Sequence, residues 1–450
     1  MDSKIIVEHK NPSSKEVDSK SLEKQEKILV NGGNPLIGTV RISGAKNAVL
    51  KQIAACILVP AKVTIKEVPP LLDVFSMIEL IEYLGGECEY KLESEVLSVD
   101  CTNINSSYAP YELVSRLRAS FVVLGPLLGR MGHVKVSLPG GCQIGTRRVD
   151  LHEKGLKSLG AKLETSHGYV EATCPSGGLT GKEIYLDIPS NGATENLMMA
   201  SVLAKGVTVI ENAAKDPEIV DLANFLIACG AKIKGAGSQR IEIEGVKLQD
   251  LHAAEHETIP DRIEAGTFVI AALATKGNVL IENVAPSHLT SLLSKLEEMG
   301  AQIDSPKEKC LKVKYTNRLK AAELSTIWYP GFPTDLQPQM MALLSISEGT
   351  SIIKENIYED RFSHIEDLTR MGADIQVTHN VAVMKGIEQL SGANVIGSDL
   401  RATAGLLIAA LSADGASEVR GLHHLDRGYN DFTGKLKVLG ADVKRVKLDI

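Results

Sequence analysis

The sequence predicts an α/β protein of two domains, each an inside-out α/β barrel of three βαβαββ-like repeats in pseudo-threefold arrangement. Three observations carry this. A phrase of Gly, a small residue, any residue and an apolar residue closes a helical stretch six times, its glycine at 85, 160, 230, 300, 372 and 440, roughly 70 residues apart. Each interval holds one helical stretch that is apolar nearly all round and one that is amphipathic. At 450 residues the chain exceeds what one hydrophobic core usually organises, so the six repeats divide into two sets of three.

The all-apolar stretches are residues 48–58, 121–128, 197–204, 268–275, 340–345 and 406–411. Helices without a polar face belong inside a core. The amphipathic stretches are residues 77–84, 151–159, 222–229, 292–299, 365–371 and 432–439, expected on the surface with the apolar side inward. Short alternating segments such as 63–66, 134–137 and 207–210 read as half-exposed strands. The recurring glycine suits a helix C-cap, where φ > 0 is needed before the chain turns into a strand. Residues 1–27 are polar and rich in Lys, Glu and Ser, and are expected to form a disordered extension. Residues 28–45 with 260–450 form one domain, read as catalytic, and residues 46–259 the other.

Charged residues make up 23% and the apolar set 44%, which is ordinary soluble composition. The net charge of −7 argues against a broad basic face for nucleic acid or anionic lipid, while leaving room for a small anion in a locally positive pocket. Seven scattered cysteines without a C-x-x-C pair favour reduced thiols in a cytoplasm over disulfides or a zinc site. No apolar run approaches the ~18 residues of a membrane span, and the N-terminus lacks the apolar core of a signal peptide. His252-Ala253-Ala254-Glu255-His256 fits a zinc-protease pattern, but it sits in a short polar stretch closed by Pro260 and reads better as the linker between domains. No metal is expected, and there is no phosphate loop or dinucleotide fingerprint.

The chemistry-bearing residues fall in two sets of loops at equivalent points of the repeat. The first set precedes the apolar helices: Ser43-Gly44-Ala45-Lys46-Asn47, Pro189-Ser190-Asn191-Gly192-Ala193-Thr194, Pro260-Asp261-Arg262-Ile263-Glu264, Phe332-Pro333-Thr334-Asp335 and Asp399-Leu400-Arg401. Helix N-termini favour anions there. The second set precedes the amphipathic helices: the loop from Gly140 to Arg147, Glu359-Asp360-Arg361 and Leu425-Asp426-Arg427-Gly428. Lys46, Arg118, Arg147, Arg361, Arg401 and Arg427 thus recur at loop or helix-start positions in both halves. Taken singly, each Arg reads as a solvated residue or a partner for Asp399, Asp426 or Glu359. Six at equivalent places point instead to a substrate carrying phosphate and carboxylate. Cys142 lies between glycines and close to Arg147 and Arg148, a setting that lowers a thiol pKa and suits a proton donor or nucleophile. The other six cysteines read as packing residues.

These motifs, with Leu138-Pro139-Gly140-Gly141-Cys142, Val149-Asp150-Leu151-His152 and Asp426-Arg427-Gly428-Tyr429, resemble the UDP-N-acetylglucosamine 1-carboxyvinyltransferase family from about Ile28 to Val446. The sister family acting on shikimate 3-phosphate shares the fold, but the Gly-Gly-Cys loop belongs to the UDP-sugar branch. The resemblance implies transfer of the enolpyruvyl group of phosphoenolpyruvate to the sugar's 3′-hydroxyl, with release of phosphate, in a bacterial cytoplasm. Phosphoenolpyruvate is then a co-substrate, and no cofactor is implied. By resemblance, Cys142 is the general acid at the methylene carbon and Asp335 the base for the sugar hydroxyl. Lys46, Arg118, Arg147, Arg361, Arg401 and Arg427 hold phosphoenolpyruvate and the tetrahedral intermediate, with Lys46 and Arg427 counted as catalytic. Asn47, Ser190, Gly192 and Asp335 match sugar-nucleotide contacts.

Neither half holds a complete set, which predicts domain closure on the sugar nucleotide about hinges near Ala45 and Pro260. Asn191 stands where the family usually has Val and is the one hint of a different nucleotide acceptor. Thr146 and Arg148 also depart from common residues of the Cys142 loop. A regulatory paralogue that only binds UDP-sugar is disfavoured by the presence of every catalytic match.

Overall fold

Gly85, Gly160, Gly230, Gly300, Gly372 and Gly440 all adopt φ between 90° and 102° in the computed structural model, the left-handed region that glycine enters without steric cost. Each closes its helix with the same pair of bonds. The glycine N–H donates to the carbonyl three residues back, and the next N–H to the carbonyl five residues back. Examples are Gly85 to Glu82 at 3.0 Å with Gly86 to Ile81 at 2.9 Å, and Gly440 to Lys437 at 2.9 Å with Ala441 to Leu436 at 3.0 Å. The residue after the glycine lies against the helix it has just left. A Cβ on Gly86 would sit 2.6 Å from Ile81 Cγ2, and this close approach accounts for glycine in the first repeat where the other five hold alanine.

The structure describes residues 26–139 and 149–448. The apolar stretches form the core helices Lys46–Ala55, Leu124–Met131, Asn191–Ser201, Arg262–Ala274, Gln337–Leu344 and Leu400–Ser412. From Ile263 to Ala274, and from Arg401 to Leu411, every residue is buried. In the second domain, built from residues 260–450 with 28–45, the three core helices pack on one another pairwise. In the first, residues 46–259, Leu124–Met131 packs on Asn191–Ser201, and Lys46–Ala55 on the 3-10 turn Arg118–Val123. That turn splits the stretch expected as one helix over 121–128. Pro126 has no N–H to continue a helix begun earlier, so the α-helix restarts at Leu124 with the proline in its first turn. The amphipathic helices are Leu72–Tyr83, Asp150–Ser158, Pro217–Ala228, Thr290–Glu298, Ile365–Arg370 and Phe432–Val438.

Among the described residues, six four-stranded sheets lie outside the helices, each a parallel pair continued by two antiparallel strands. Helices inside and sheets outside make each domain an inside-out barrel. Distant segments close the two rings. Glu26–Asn31 pairs antiparallel with both Ala416–Arg420 and Asp442–Lys447, and Ile37–Arg41 runs parallel to Asn278–Glu282. Glu255–Glu257 runs parallel to Lys62–Lys66. Two apolar cores result, one from Val49 to Leu251, the other from Ile28 to Ile42 with Ile263 to Val443.

Two expectations are corrected. Glu26 and Lys27 belong to the first strand rather than to an extension; Arg445 Nε lies 2.6 Å from Glu26, and Lys27 Nζ 2.5 Å from Glu418. The His252–His256 stretch is not the linker, because its end enters a strand. His256 Nε2 lies 2.9 Å from Asp221 Oδ1, and its ring stands edge-on to Phe225. Among the described residues no helix is long and apolar enough to cross a membrane.

Candidate active site

The chain crosses between domains twice, and the two crossings lie side by side. Gly44 bridges antiparallel to Pro260, Ala45 N–H donates to Ile259 O at 2.7 Å, and Asp261 N–H to Ser43 O at 2.9 Å. Asp261 then caps a core helix in each domain. Its Oδ1 accepts from the N–H groups of Ile263 (2.8 Å) and Glu264 (3.0 Å), and its Oδ2 from Lys46 N–H (3.3 Å). A Cβ on Gly44 would lie 1.8 Å from Glu67 O, so the crossing admits no side chain there. This tight double strand fixes Lys46 where the two domains meet.

Four of the six cations are shared out between two carboxylates. Lys46 Nζ lies 2.6 Å from Asp73 Oδ2, and Arg427 Nε, from the other domain, 2.8 Å from Asp73 Oδ1. Arg427 Nη2 also donates to Arg116 O at 3.2 Å. Asp335 receives Arg361 Nη1 at 2.8 Å on one oxygen and Arg401 Nη2 at 3.2 Å on the other. Arg361 also donates to Thr334 Oγ1 at 2.9 Å, and Arg401 stacks over the Tyr429 ring at 5.4 Å. Burial pulls the Lys46 pKa below the usual lysine range; Arg401 and Arg427 push it the same way, against Asp73. All three cations therefore act on one small region, with both domains contributing.

Of the predicted sugar-nucleotide residues, Gly192 lies against His152, while Asp335 sits with Arg361 and Arg401 in the other domain. Ser190 caps Asn191–Ser201, its Oγ accepting from Ala193 N–H at 3.4 Å. Gly192 backs onto the imidazole, which a Cβ would approach to 3.3 Å. His152 Nδ1 lies 2.9 Å from Asn196 Nδ2, and the ring meets Phe121 edge-on. Arg118 opens the turn Arg118–Val123. Asn47 begins the Lys46 helix, and its carbonyl accepts from Lys51 Nζ at 2.8 Å. The Asn191 side chain hydrogen-bonds Asp216. Cys142, Arg147, Thr146 and Arg148 lie outside the described residues. The other six cysteines are buried or half-buried, and burial pushes the thiols of Cys101 and Cys229 up to about 12, as suits packing residues.

Sequence reasoning missed two groups. Asp73 lies in the first turn of the amphipathic helix Leu72–Tyr83, 12 residues before Gly85. Arg427 instead precedes its helix and stands 13 before Gly440, so the register to the glycines does not single Asp73 out. The other is a second tie between the domains. Arg262, which opens a second-domain helix, reaches Asp216 at 2.8 Å and Glu218 at 3.0 Å in the first domain, and lies over the Tyr329 ring at 5.3 Å.

Two buried histidines give the fold a pH dependence. Burial, reinforced by Arg118, holds His152 down to about 4; burial, with Arg361 adding to it, does the same to His364. A depressed histidine pKa leaves stability intact above the unfolded value of about 6.5, and stability is lost as pH falls toward 4 because the unfolded chain protonates first. The loss is about 3 kcal/mol for His364 by pH 4. Melting temperature recorded from pH 8 to 4 should fall below pH 6.5, and less steeply in His364→Gln. Equal slopes would contradict the assignment.

Comparison with known proteins bears on this site. The family described as EPSP synthase (3-phosphoshikimate 1-carboxyvinyltransferase) matches residues 30–436. UDP-N-acetylglucosamine 1-carboxyvinyltransferase 1 of Caldanaerobacter subterraneus subsp. tengcongensis is 52% identical over 93% of this chain and 99% of its own length. UDP-N-acetylglucosamine 1-carboxyvinyltransferase 2 of Carboxydothermus hydrogenoformans is 52% identical over 94% and 99%. The solved enolpyruvyl transferase NikO from Streptomyces tendae superposes with a TM-score of 0.85 at 26% identity, covering 95% of this chain and all of its own. EPSP synthase from Acinetobacter baumannii shares the fold, with a TM-score of 0.72 at 17% identity over 94% of this chain.

Proposed function

The chain belongs to the EPSP synthase (3-phosphoshikimate 1-carboxyvinyltransferase) family, and from that premise we propose that it moves the enolpyruvyl group of phosphoenolpyruvate onto the 3′-hydroxyl of UDP-N-acetylglucosamine. The observation that carries the reading is the set of cations from both domains: Asp73 pairs Lys46 with Arg427 between the domains, and Asp335 pairs Arg361 with Arg401 within the second. A substrate bearing phosphate and carboxylate is complementary to that set in sign.

In the proposed sequence, Lys46, Arg401 and Arg427 take the two anionic groups of phosphoenolpyruvate, with Arg118, Arg147 and Arg361 around them. Asn47, Ser190 and Gly192 hold the sugar nucleotide. Asp335 accepts the proton of the 3′-hydroxyl as its oxygen bonds to the central carbon of the enol, and Cys142 delivers a proton to the methylene carbon. The C–O bond forms as the C=C bond is consumed, giving a tetrahedral intermediate. Loss of a proton from the new methyl group and departure of phosphate restore the double bond. The cations are fixed before reaction, so they stabilise developing charge without reorganising. Because Lys46 and Arg427 come from different domains, closure completes the site and excludes water.

The acceptor is tested by incubating the protein and phosphoenolpyruvate with UDP-N-acetylglucosamine or with shikimate 3-phosphate, and reading product vinyl protons by NMR. An enolpyruvyl ether on the UDP-sugar alone is expected. An ether on shikimate 3-phosphate, or on neither, would overturn the assignment.

A further inference from the structure

We propose that Asp73 is a positioning residue of the transfer site, a first-domain carboxylate that sets the place of Lys46 and Arg427 between the domains and yields Arg427 to the anions of phosphoenolpyruvate. The inference rests on the reading of the reaction given above, and its geometry stands apart from it. Asp73 uses one oxygen for each cation, at 2.6 Å to Lys46 Nζ and 2.8 Å to Arg427 Nε, with its side chain 3% exposed. It lies in the first turn of Leu72–Tyr83, where the helix dipole favours a carboxylate. Its position is therefore held by backbone as well as by its two partners.

Asp73 and Asp335 look alike, each bridging two cations, but they differ in one respect. Asp335 and both its partners belong to the second domain, whereas Asp73 joins a first-domain ammonium to a second-domain guanidinium. Asp73 thus ties Arg427 to the first domain. The charged groups acting on Lys46 are Asp73, Arg401 and Arg427, and Asp261 accepts from its backbone N–H. Two of the three side-chain influences are positive, so Asp73 is the group that keeps the buried ammonium charged and ready for phosphate or carboxylate. A phosphoenolpyruvate anion arriving here supplies the same charge, which lets the part-exposed Arg427 transfer from Asp73 to substrate while the buried Lys46 stays paired with Asp73.

The test compares wild type, Asp73→Asn and Asp73→Glu. Lys46 titration is followed by NMR on [ε-13C]lysine-labelled protein, assigned with Lys46→Arg, alongside the pH profile of kcat/KM for phosphoenolpyruvate. Asp73→Asn should move the Lys46 titration and the alkaline limb of the profile down together, by about 1–3 pH units, the effect of losing one opposite charge in contact. KM for phosphoenolpyruvate should rise roughly ten-fold or more, with UDP-sugar affinity unchanged. Asp73→Glu keeps the charge on a longer arm and should hold the Lys46 titration near wild type. An unmoved titration in Asp73→Asn, or a fall in kcat alone with KM and pH profile unchanged, would overturn the proposal by leaving Asp73 a purely structural role. So would a drop in Asp73→Glu as large as in Asp73→Asn, a comparison that still decides if the Asn variant folds poorly. The lysine titration needs no turnover, so an inactive wild type sinks the reaction while the coupling of Asp73 to Lys46 is judged separately.

Discussion

Asp335→Asn is expected to lower sugar-dependent phosphate release by about 10²- to 10⁴-fold, the usual contribution of a positioned general base. The amide cannot accept the hydroxyl proton. It also leaves Arg361 and Arg401, both nearly fully buried, without the carboxylate that now lies 2.8 Å and 3.2 Å away. Asp335 itself is 28% exposed on its side chain, so the loss should fall on kcat with the fold retained. A variant that raises KM for the UDP-sugar while keeping kcat would make Asp335 a binding group and remove it from the proton transfer.

The largest effect on stability is expected where Arg262 ties the two domains. Arg262→Ala leaves Asp216 and Glu218 buried without their shared guanidinium, and breaking such a group typically costs about 3–5 kcal/mol. Arg262 and its two partners are each no more than 10% exposed on their side chains, so water does little to compensate. The deficit has a direction in pH. Burial already raises the Asp216 pKa with the arginine in place. Without it, both carboxylates favour the protonated form in the folded state, so the variant loses stability as pH rises through their pKa values and recovers some of it in mild acid. Denaturant unfolding at pH 5 and pH 7 reads this directly. A loss under 1 kcal/mol at both pH values would mean that the tie adds little to holding the domains.

What was legible in the sequence was local. A Gly C-cap followed by a small residue is demanded by the two closing bonds and by contact with the preceding turn, so Gly85, Gly160, Gly230, Gly300, Gly372 and Gly440 mark the repeats without tertiary information. Apolar and amphipathic helices separate for the same local reason. Ring closure was not legible, because Glu26–Asn31 and Glu255–Glu257 pair with strands chosen by the whole fold. The cations could be found from loop position, but their partners could not. Asp426 and Asp399 are near in sequence, yet Asp426 lies 2.8 Å from Arg445, and Asp399 spends Oδ1 on capping the N–H groups of Arg401 and Ala402. The guanidinium of Arg427 instead crosses to Asp73 in the other domain, a pairing set by how the domains meet.

The measurement that bears most directly on the account is phosphate release from phosphoenolpyruvate with and without UDP-N-acetylglucosamine, wild type beside Asp335→Asn. Release that requires the sugar and collapses in the variant is predicted. Release independent of the sugar, or none from wild type with both substrates bound, would contradict enolpyruvyl transfer between the domains.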